Sequence, residues 1–233
     1  MATRPVFIST MEGPVLVRVM PVDFVWHPGM ARSRKQMSIR SLHEAIRIAV
    51  PGARVLEVSS ASEDALGEKL SAFNLTFHTR GRGREISVES AFQASKVFEN
   101  GGPYTDLMDA RPLDAKRDPR LQSSGRLIRF SFSGQNWALE PLTAFYDWVY
   151  INALHLQREL AEAVMAYDAF TDIAFNPEKS INCQAGSVAL YVSLKRRGLL
   201  EEVLGSRDNY LTLISGINGT GVRNEDGSQA RLL

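Results

Sequence analysis

Apolar positions along the chain change period several times, and each change marks an element. Residues 6–9 and 15–20 are rich in valine, isoleucine and phenylalanine and flank a Glu12-Gly13 turn, so they read as the two strands of a ribbon, with Phe24, Val25 and Trp26 continuing extended chain. After His27-Pro28-Gly29 comes a basic stretch with Arg32, Arg34, Lys35 and Arg40. Leu42, Ile46 and Ala49 then recur at helical spacing up to a Pro51-Gly52 stop, which predicts one short amphipathic helix. Residues 55–58 read as a strand and 63–70 as a short helix. From Val88 the helical period runs to Phe98 and ends at Asn100-Gly101-Gly102. A brief helix opens on Pro112 and closes by Lys116, and residues 127–132 form a strand. Beyond that, residues 141–155, 160–167 and 183–197 place apolar side chains three and four apart, so the second half is predominantly helical. The stretch from Ser215, with Gly216, Gly219, Gly221, Asn224 and Gly227, has few apolar anchors and reads as a loose tail.

This pattern predicts an α+β protein, mostly helical, with an N-terminal β-ribbon and a few short antiparallel strands. The expected organisation is a ribbon and helix over residues 1–54 packed on a core at 55–214, with 215–233 as a flexible tail. At 233 residues, 44% apolar and 23% charged, the chain is long enough to enclose a site in a real core. A net charge of +1 supplies no bulk field for a long nucleic acid, so contact with one must come from local basic patches. One cysteine, Cys183, and four scattered histidines form neither a disulfide framework nor a metal-ligand pattern, and a reducing, cytoplasmic setting is expected. No leader-like or membrane-spanning run is legible, so the two glycosylation-like triplets at Asn74 and Asn218 carry no weight.

Candidate chemistry concentrates in Glu85-Ile-Ser-Val-Glu89-Ser-Ala-Phe-Gln93-Ala-Ser-Lys96. On a helix, Glu89, Phe92, Gln93 and Lys96 share one stripe, which brings together an acid, an amide and an amine beside an aromatic ring. Such a stripe can provide a general acid or base and a nucleophilic amine. Spacing alone favours a plainer reading, an exposed helix with both charges in water.

Three ordered segments shift that balance. Ser71-Ala-Phe-Asn-Leu-Thr-Phe77, Ile86-Ser-Val-Glu-Ser-Ala-Phe-Gln-Ala-Ser-Lys96 and Ala110-Arg-Pro-Leu-Asp-Ala-Lys116 resemble the successive motifs of the NADAR (YbiA-like) family. Phe145-Tyr-Asp-Trp-Val-Tyr150, the stretch from Tyr167 to Gln184, Phe24-Val-Trp-His-Pro-Gly29 and Ser38-Ile-Arg-Ser-Leu-His43 are similar to the branch of that family found beside DarT-type DNA ADP-ribosyltransferase toxins. Together these stretches span most of residues 1–205. Two departures stand out: Ser90 occupies the position of the family's histidine, and the family's terminal Asp and Trp-Gly pattern is missing.

The resemblance implies cleavage of an N-glycosidic bond, and for the toxin-linked branch the substrate it implies is ADP-ribosylated guanine in DNA, with ADP-ribose as product and no cofactor. Glu89 is then the expected general acid and base, with Lys96 as an amine that attacks the anomeric carbon and holds the opened ribose as an imine. Asn74 and Gln93 are expected to orient ribose hydroxyls, Arg111 and Lys116 to neutralise the diphosphate, and Phe73 or Trp137 to stack on a base. Asp168 or Asp172 is expected to make the ligand contacts in place of the missing terminal pattern. For Arg111 and Lys116, plain solvation fits the sequence as well, and for Phe73 and Trp137, plain core packing does.

Other features stay open or fall away. Arg80, Arg82 and Arg84, separated by glycines, suit either a DNA backbone or an ordinary soluble hairpin loop. The Gly216, Gly219 and Gly221 spacing lacks a following helix and reads as tail flexibility, and Cys183 reads as a small buried thiol. Asp168 and Asp172, four apart near a helix end, suit a cap, a surface charge, a metal or a ribose. Two rival functions remain: a riboflavin-pathway type of N-glycosidase acting on a small ribosylamino-pyrimidine, and a non-catalytic module that sequesters ADP-ribose or the cognate toxin.

Overall fold

The structure is a computed structural model that describes residues 1–79, 83 and 85–216. In chain order the strands are β1 (Ala2–Ser9), β2 (Val17–Phe24), β3 (Val55–Glu57), β4 (Thr76–His78), β5 (Glu85–Ser87), β6 (Lys96–Phe98), β7 (Leu127–Phe132), β8 (Gln135–Trp137) and β9 (Ala169–Thr171). The helices are α1 (Arg32–Ala49), α2 (Ala65–Lys69), α3 (Val88–Ala94), α4 (Pro112–Lys116), α5 (Arg120–Ser123), α6 (Ala144–Leu156), α7 (Arg158–Ala163), α8 (Gln184–Arg196), α9 (Leu200–Gly205) and α10 (Arg207–Gly216). This is an α+β fold, and its second half is mainly helical, as the periodicity predicts. Among the described residues no helix is long and apolar enough to cross a membrane.

The N-terminal ribbon forms as expected, with β1 and β2 antiparallel from Ala2 opposite Phe24 to Ser9 opposite Val17. It is part of a four-stranded sheet in the order β2-β1-β9-β3, where β9 runs antiparallel to β1 and parallel to β3. Strand alternation explains its place between two layers. Val6 and Ile8 pack with Ile39, Leu42 and Ile46 of α1, whereas Phe7 points into the main core. Gly186 of α8 rests against that ring, where an added Cβ would lie 3.2 Å from Phe7.

Several expectations are corrected. The helix α1 is 18 residues long rather than short, because its basic residues belong to the helix and line its wet face, where Arg32 pairs with Glu68 and Arg40 with Glu63. The helix predicted over 88–98 stops at Ala94, and Ser95 is its C-cap. Lys96 then opens β6, whose pairing with β7 (Lys96 opposite Phe130) outweighs the helical period. Asp168 does follow a helix end, the turn Val164–Ala166 that extends α7, but Asp172 does not, because the strand β9 lies between the two. Within the tail stretch, Ser215 and Gly216 end α10. The readings of Arg80, Arg82 and Arg84, and of the tail beyond Gly216, lie outside the described residues.

The three-stranded sheet β6-β7-β8 leans on α6 through aromatic side chains. Phe130 stacks on Phe145 with ring centroids 4.7 Å apart, and Phe92 of α3 lies 5.4 Å from Phe130. Trp137 packs against Phe145, Trp148 and Tyr210. This apolar wall backs the site that follows.

Candidate active site

Two local devices place Glu89. The first backbone amides of α3 are claimed by the preceding turn: Val88 N–H donates to the Leu75 carbonyl and Glu89 N–H to the Ala72 carbonyl. Ser87 caps the helix by accepting from Ser90 N–H at 3.0 Å. The Ser90 hydroxyl donates to the Ala110 carbonyl at 3.1 Å, tying α3 to the segment that enters α4. Ser90, standing where the resemblance has histidine, is thus spent on the fold.

The Glu89 side chain is only 6% exposed. Its Oε1 accepts from Gln93 Nε2 at 2.9 Å, the i, i+4 neighbour on α3, and lies 3.5 Å from Lys116 Nζ at the end of α4. Oε2 makes no hydrogen bond with the described residues, which leaves one carboxylate oxygen for an incoming group. Lys116, half exposed, also sits 5.2 Å from the Phe73 ring centroid, so Phe73, Glu89 and Lys116 converge although they come from three separate segments. Gln93 Oε1 is buried and has no partner among the described residues. A buried amide oxygen left unpaired costs about 1–3 kcal/mol, so a ligand's N–H or O–H that reached it would be favoured.

Lys96 reaches this group from β6 instead of from the helix stripe. Its Nζ stands 4.9 Å from the Phe92 ring centroid. Burial pulls its pKa down from 10.5 to about 8; the Glu89 carboxylate works against that, and the Lys116 ammonium adds to it. A lysine held this low is partly a free amine near neutral pH, which is what a nucleophilic role requires.

Asp172 joins from the far side of β9. It accepts from Ala174 N–H at 3.0 Å and from Gln184 Nε2 at 3.0 Å. The same Gln184 accepts from Ala72 N–H through its Oε1, so Asp172 is linked through Gln184 and Ala72 to the Glu89 amide. Burial raises the Asp172 pKa, with hydrogen bonds from Ala174, Gln184 and Phe175 and the charge of Lys116 opposing it. The neighbouring Glu57 is buried, accepts from Thr171 Oγ1 at 2.6 Å and Ile173 N–H at 2.9 Å, and is pushed upward by desolvation and by Asp172. His43 stands behind Thr171 at 3.0 Å, and burial holds its pKa down at about 4.

The remaining expected residues fall elsewhere. Asn74 is exposed, and its Nδ2 donates to the Glu68 carbonyl. Arg111 precedes α4, is 87% exposed and pairs with Asp114, so it reaches the site's rim at most. Asp168 is tied to Arg196 at 3.1 Å and to Arg54 N–H, as a brace between sheet and helix. Trp137 is buried in the aromatic core, with Arg207 over its ring, and packs there as an ordinary core residue does. Cys183 is buried, as its sequence context suggests.

Sequence reasoning assigned no role to Glu57, His43, Gln184 or Tyr146. A carboxylate inside the apolar run Val55-Leu56-Glu57-Val58 was a legible signal; the others are ordinary residues until the fold juxtaposes them. A cleft lined by Phe130, Leu139, Leu142, Tyr146, Ile181 and Asn182, among others, lies beyond the aromatic wall and meets the Glu89 group at Tyr146, whose ring stands edge-on to Phe92 at 5.1 Å. Among the described residues no cluster of three or more histidine, cysteine or acidic side chains can hold a metal ion.

Arranged in this way, the site offers a proton donor and acceptor, a desolvated amine and an unpaired amide oxygen on one aromatic wall. The family model described as the DarT1-associated NADAR antitoxin matches residues 2–223. No curated protein matches the chain.

Proposed function

The chain belongs to the DarT1-associated NADAR antitoxin family, and from that premise we propose that it is a hydrolase that removes ADP-ribose from guanine in DNA, undoing the modification made by a cognate DarT-type toxin. The observation that supports this most is a buried Glu89 carboxyl within electrostatic reach of the Lys96 amine, whose pKa burial lowers to about 8.

In this reading the free Lys96 amine attacks the anomeric carbon as the bond to the guanine nitrogen breaks. Glu89 gives its proton to the departing nitrogen and then takes one from the new ammonium. The ribose ring opens as Glu89 passes that proton to the ring oxygen and the nitrogen lone pair forms the C=N bond, which leaves a protonated imine on Lys96. Water hydrolyses that imine, freeing ADP-ribose and restoring the amine. Gln93 Oε1 accepts from a ribose hydroxyl, and Lys116 meets the diphosphate at the mouth of the site. Arg111 and Phe73 complete the rim. Asp172 acts through Gln184 to hold the Ala72 turn in place. The setting is the cytoplasm, where the modified DNA lies.

The test is incubation of purified protein with a guanine-ADP-ribosylated oligonucleotide, following ADP-ribose by mass spectrometry, with Glu89→Gln as control. Release by the wild type alone supports the hydrolase. Tight retention of the oligonucleotide without release by folded wild type points to a binding module. Cleavage of a ribosylamino-pyrimidine in place of DNA points to a small-molecule glycosidase. Borohydride trapping of a sugar adduct, lost in Lys96→Ala, checks the imine; no adduct reduces Lys96 to an electrostatic role.

A further inference from the structure

Two donors meet one oxygen of Glu89: Gln93 Nε2 at 2.9 Å and the Lys116 ammonium at 3.5 Å. An oxygen that faces both an N–H and an ammonium does not carry a proton. The acidic proton of Glu89 therefore belongs on Oε2, the oxygen that pairs with none of the described residues. The same contact fixes the Gln93 amide. Turned over, the amide would set its oxygen against the carboxylate oxygen, so Nε2 faces Glu89 and Oε1 faces away.

Gln93 is 6% exposed, and its Oε1 is buried without a partner among the described residues. The site thus holds an acceptor with no donor, on a side chain one hydrogen bond away from the acid. Phe92 precedes Gln93 on α3, and the Lys96 amine stands 4.9 Å from its ring centroid, so acid, amine and acceptor share one short stretch of wall. In the proposed cleavage the acid and the amine act at the anomeric carbon. The hydroxyl nearest that carbon is the one on the next ring carbon, the 2′-hydroxyl.

We infer, resting on the proposed glycosidic cleavage, that Gln93 Oε1 accepts a hydrogen bond from the 2′-hydroxyl of the sugar being released, and that Gln93 thereby selects a ribosyl over a 2′-deoxyribosyl bond. Guanine that carries ADP-ribose in DNA has a glycosidic bond to ribose and another to the 2′-deoxyribose of the strand. Only the first sugar has this hydroxyl. Intrinsic reactivity does not protect the second bond, because a 2′-deoxy sugar lacks the electron-withdrawing oxygen that opposes positive charge at the anomeric carbon. Selection therefore falls to the protein. The 2′-hydroxyl becomes a stronger donor as positive charge develops beside it, so its bond to Gln93 tightens in the transition state. A 2′-deoxyribosyl group leaves the amide oxygen buried and unpaired.

The test compares three oligonucleotides whose guanine carries ADP-ribose, or its 2′-deoxy or 3′-deoxy analogue at the ribose joined to the base. Wild type should cleave the ribosyl substrate about 100-fold faster in kcat/KM than the 2′-deoxyribosyl one, and the 3′-deoxyribosyl one within about tenfold of the ribosyl. Gln93→Met keeps the length of the side chain and removes the acceptor, so it should treat ribosyl and 2′-deoxyribosyl substrates alike to within about threefold. A purely structural role would slow both in parallel and leave the ratio as in wild type. Equal rates on the two by wild type, a ratio that Gln93→Met preserves, or a penalty tied to the 3′ position would overturn the inference. If Gln93→Met melts early, Gln93→Glu presents an acceptor oxygen in the same place and should keep the preference whatever happens to the overall rate; a flat ratio counts against Gln93. Wild type that releases nothing from the ribosyl substrate would instead overturn the hydrolase reading beneath it.

Discussion

Replacing Lys96 with methionine should abolish turnover and make the protein more stable, and the size of the gain should depend on pH. The amine's pKa falls from 10.5 to about 8 on folding. At about 1.4 kcal/mol per tenfold change in an ionisation constant, that drop is a gross penalty of about 3 kcal/mol against the charged form. Lys96 keeps part of its surface in solvent, so about 1–2 kcal/mol is the expected net gain near neutral pH. The sign follows from proton linkage. Below about pH 8 the lysine is charged in both states, and the folded protein bears the whole penalty. As pH rises from about 8 to 10.5, the folded state has shed its proton and the unfolded state has not, so wild type gains stability. Above that window the penalty is gone. Urea unfolding of wild type and Lys96→Met at about pH 7 and about pH 10 should therefore show an advantage for the variant that shrinks at the higher pH. An advantage of equal size at both pH values would be a packing effect, and a less stable variant at neutral pH would refute desolvation as the origin of the depressed amine. Turnover by wild type should rise with pH through about 8, as the free amine is formed.

Two further outcomes follow from other parts of the molecule. Glu57 is buried, and its folded pKa lies above the ordinary carboxylate value of 4.5, so the folded state holds its proton when the unfolded state has lost it. Stability then falls as pH climbs from the ordinary carboxylate range through the raised folded value. Glu57→Gln, which can keep the Ile173 and Thr171 contacts, should be relatively more stable at about pH 9 than at about pH 5, and melting curves that stay parallel to wild type across that range would contradict this. Gly102 adopts φ +84, and a Cβ there would stand 2.3 Å from the Lys96 carbonyl oxygen. Gly102→Ala should cost about 2 kcal/mol or more by urea unfolding and should depress turnover by shifting Lys96; wild-type rate and stability together would show that the turn yields without disturbing it.

The sequence alone determined the β1 and β2 ribbon, the helical second half and the α4 helix, because each is a local statement: alternation, a three-four period, or proline at a helix start. It also determined Glu89 and Gln93 as neighbours, since four residues on a helix return to one face whatever surrounds them. The burial of that face was beyond it, because helical period says nothing about which layer covers a stripe.

What only the tertiary structure decided are the contacts made across elements. The pairing of β6 with β7 ended the helix at Ala94 and brought Lys96 to the site by a different route from the one its spacing suggested. The insertion of β9 between β1 and β3 separated Asp168, bound to Arg196, from Asp172, bound to Gln184. Trp137 was drawn into the aromatic core instead of the site because β8 pairs beside Phe130 and faces α6. The desolvation of Lys96 and Glu57 likewise has no local signature: it depends on how many atoms from distant segments displace water, a quantity that does not exist until the chain has folded.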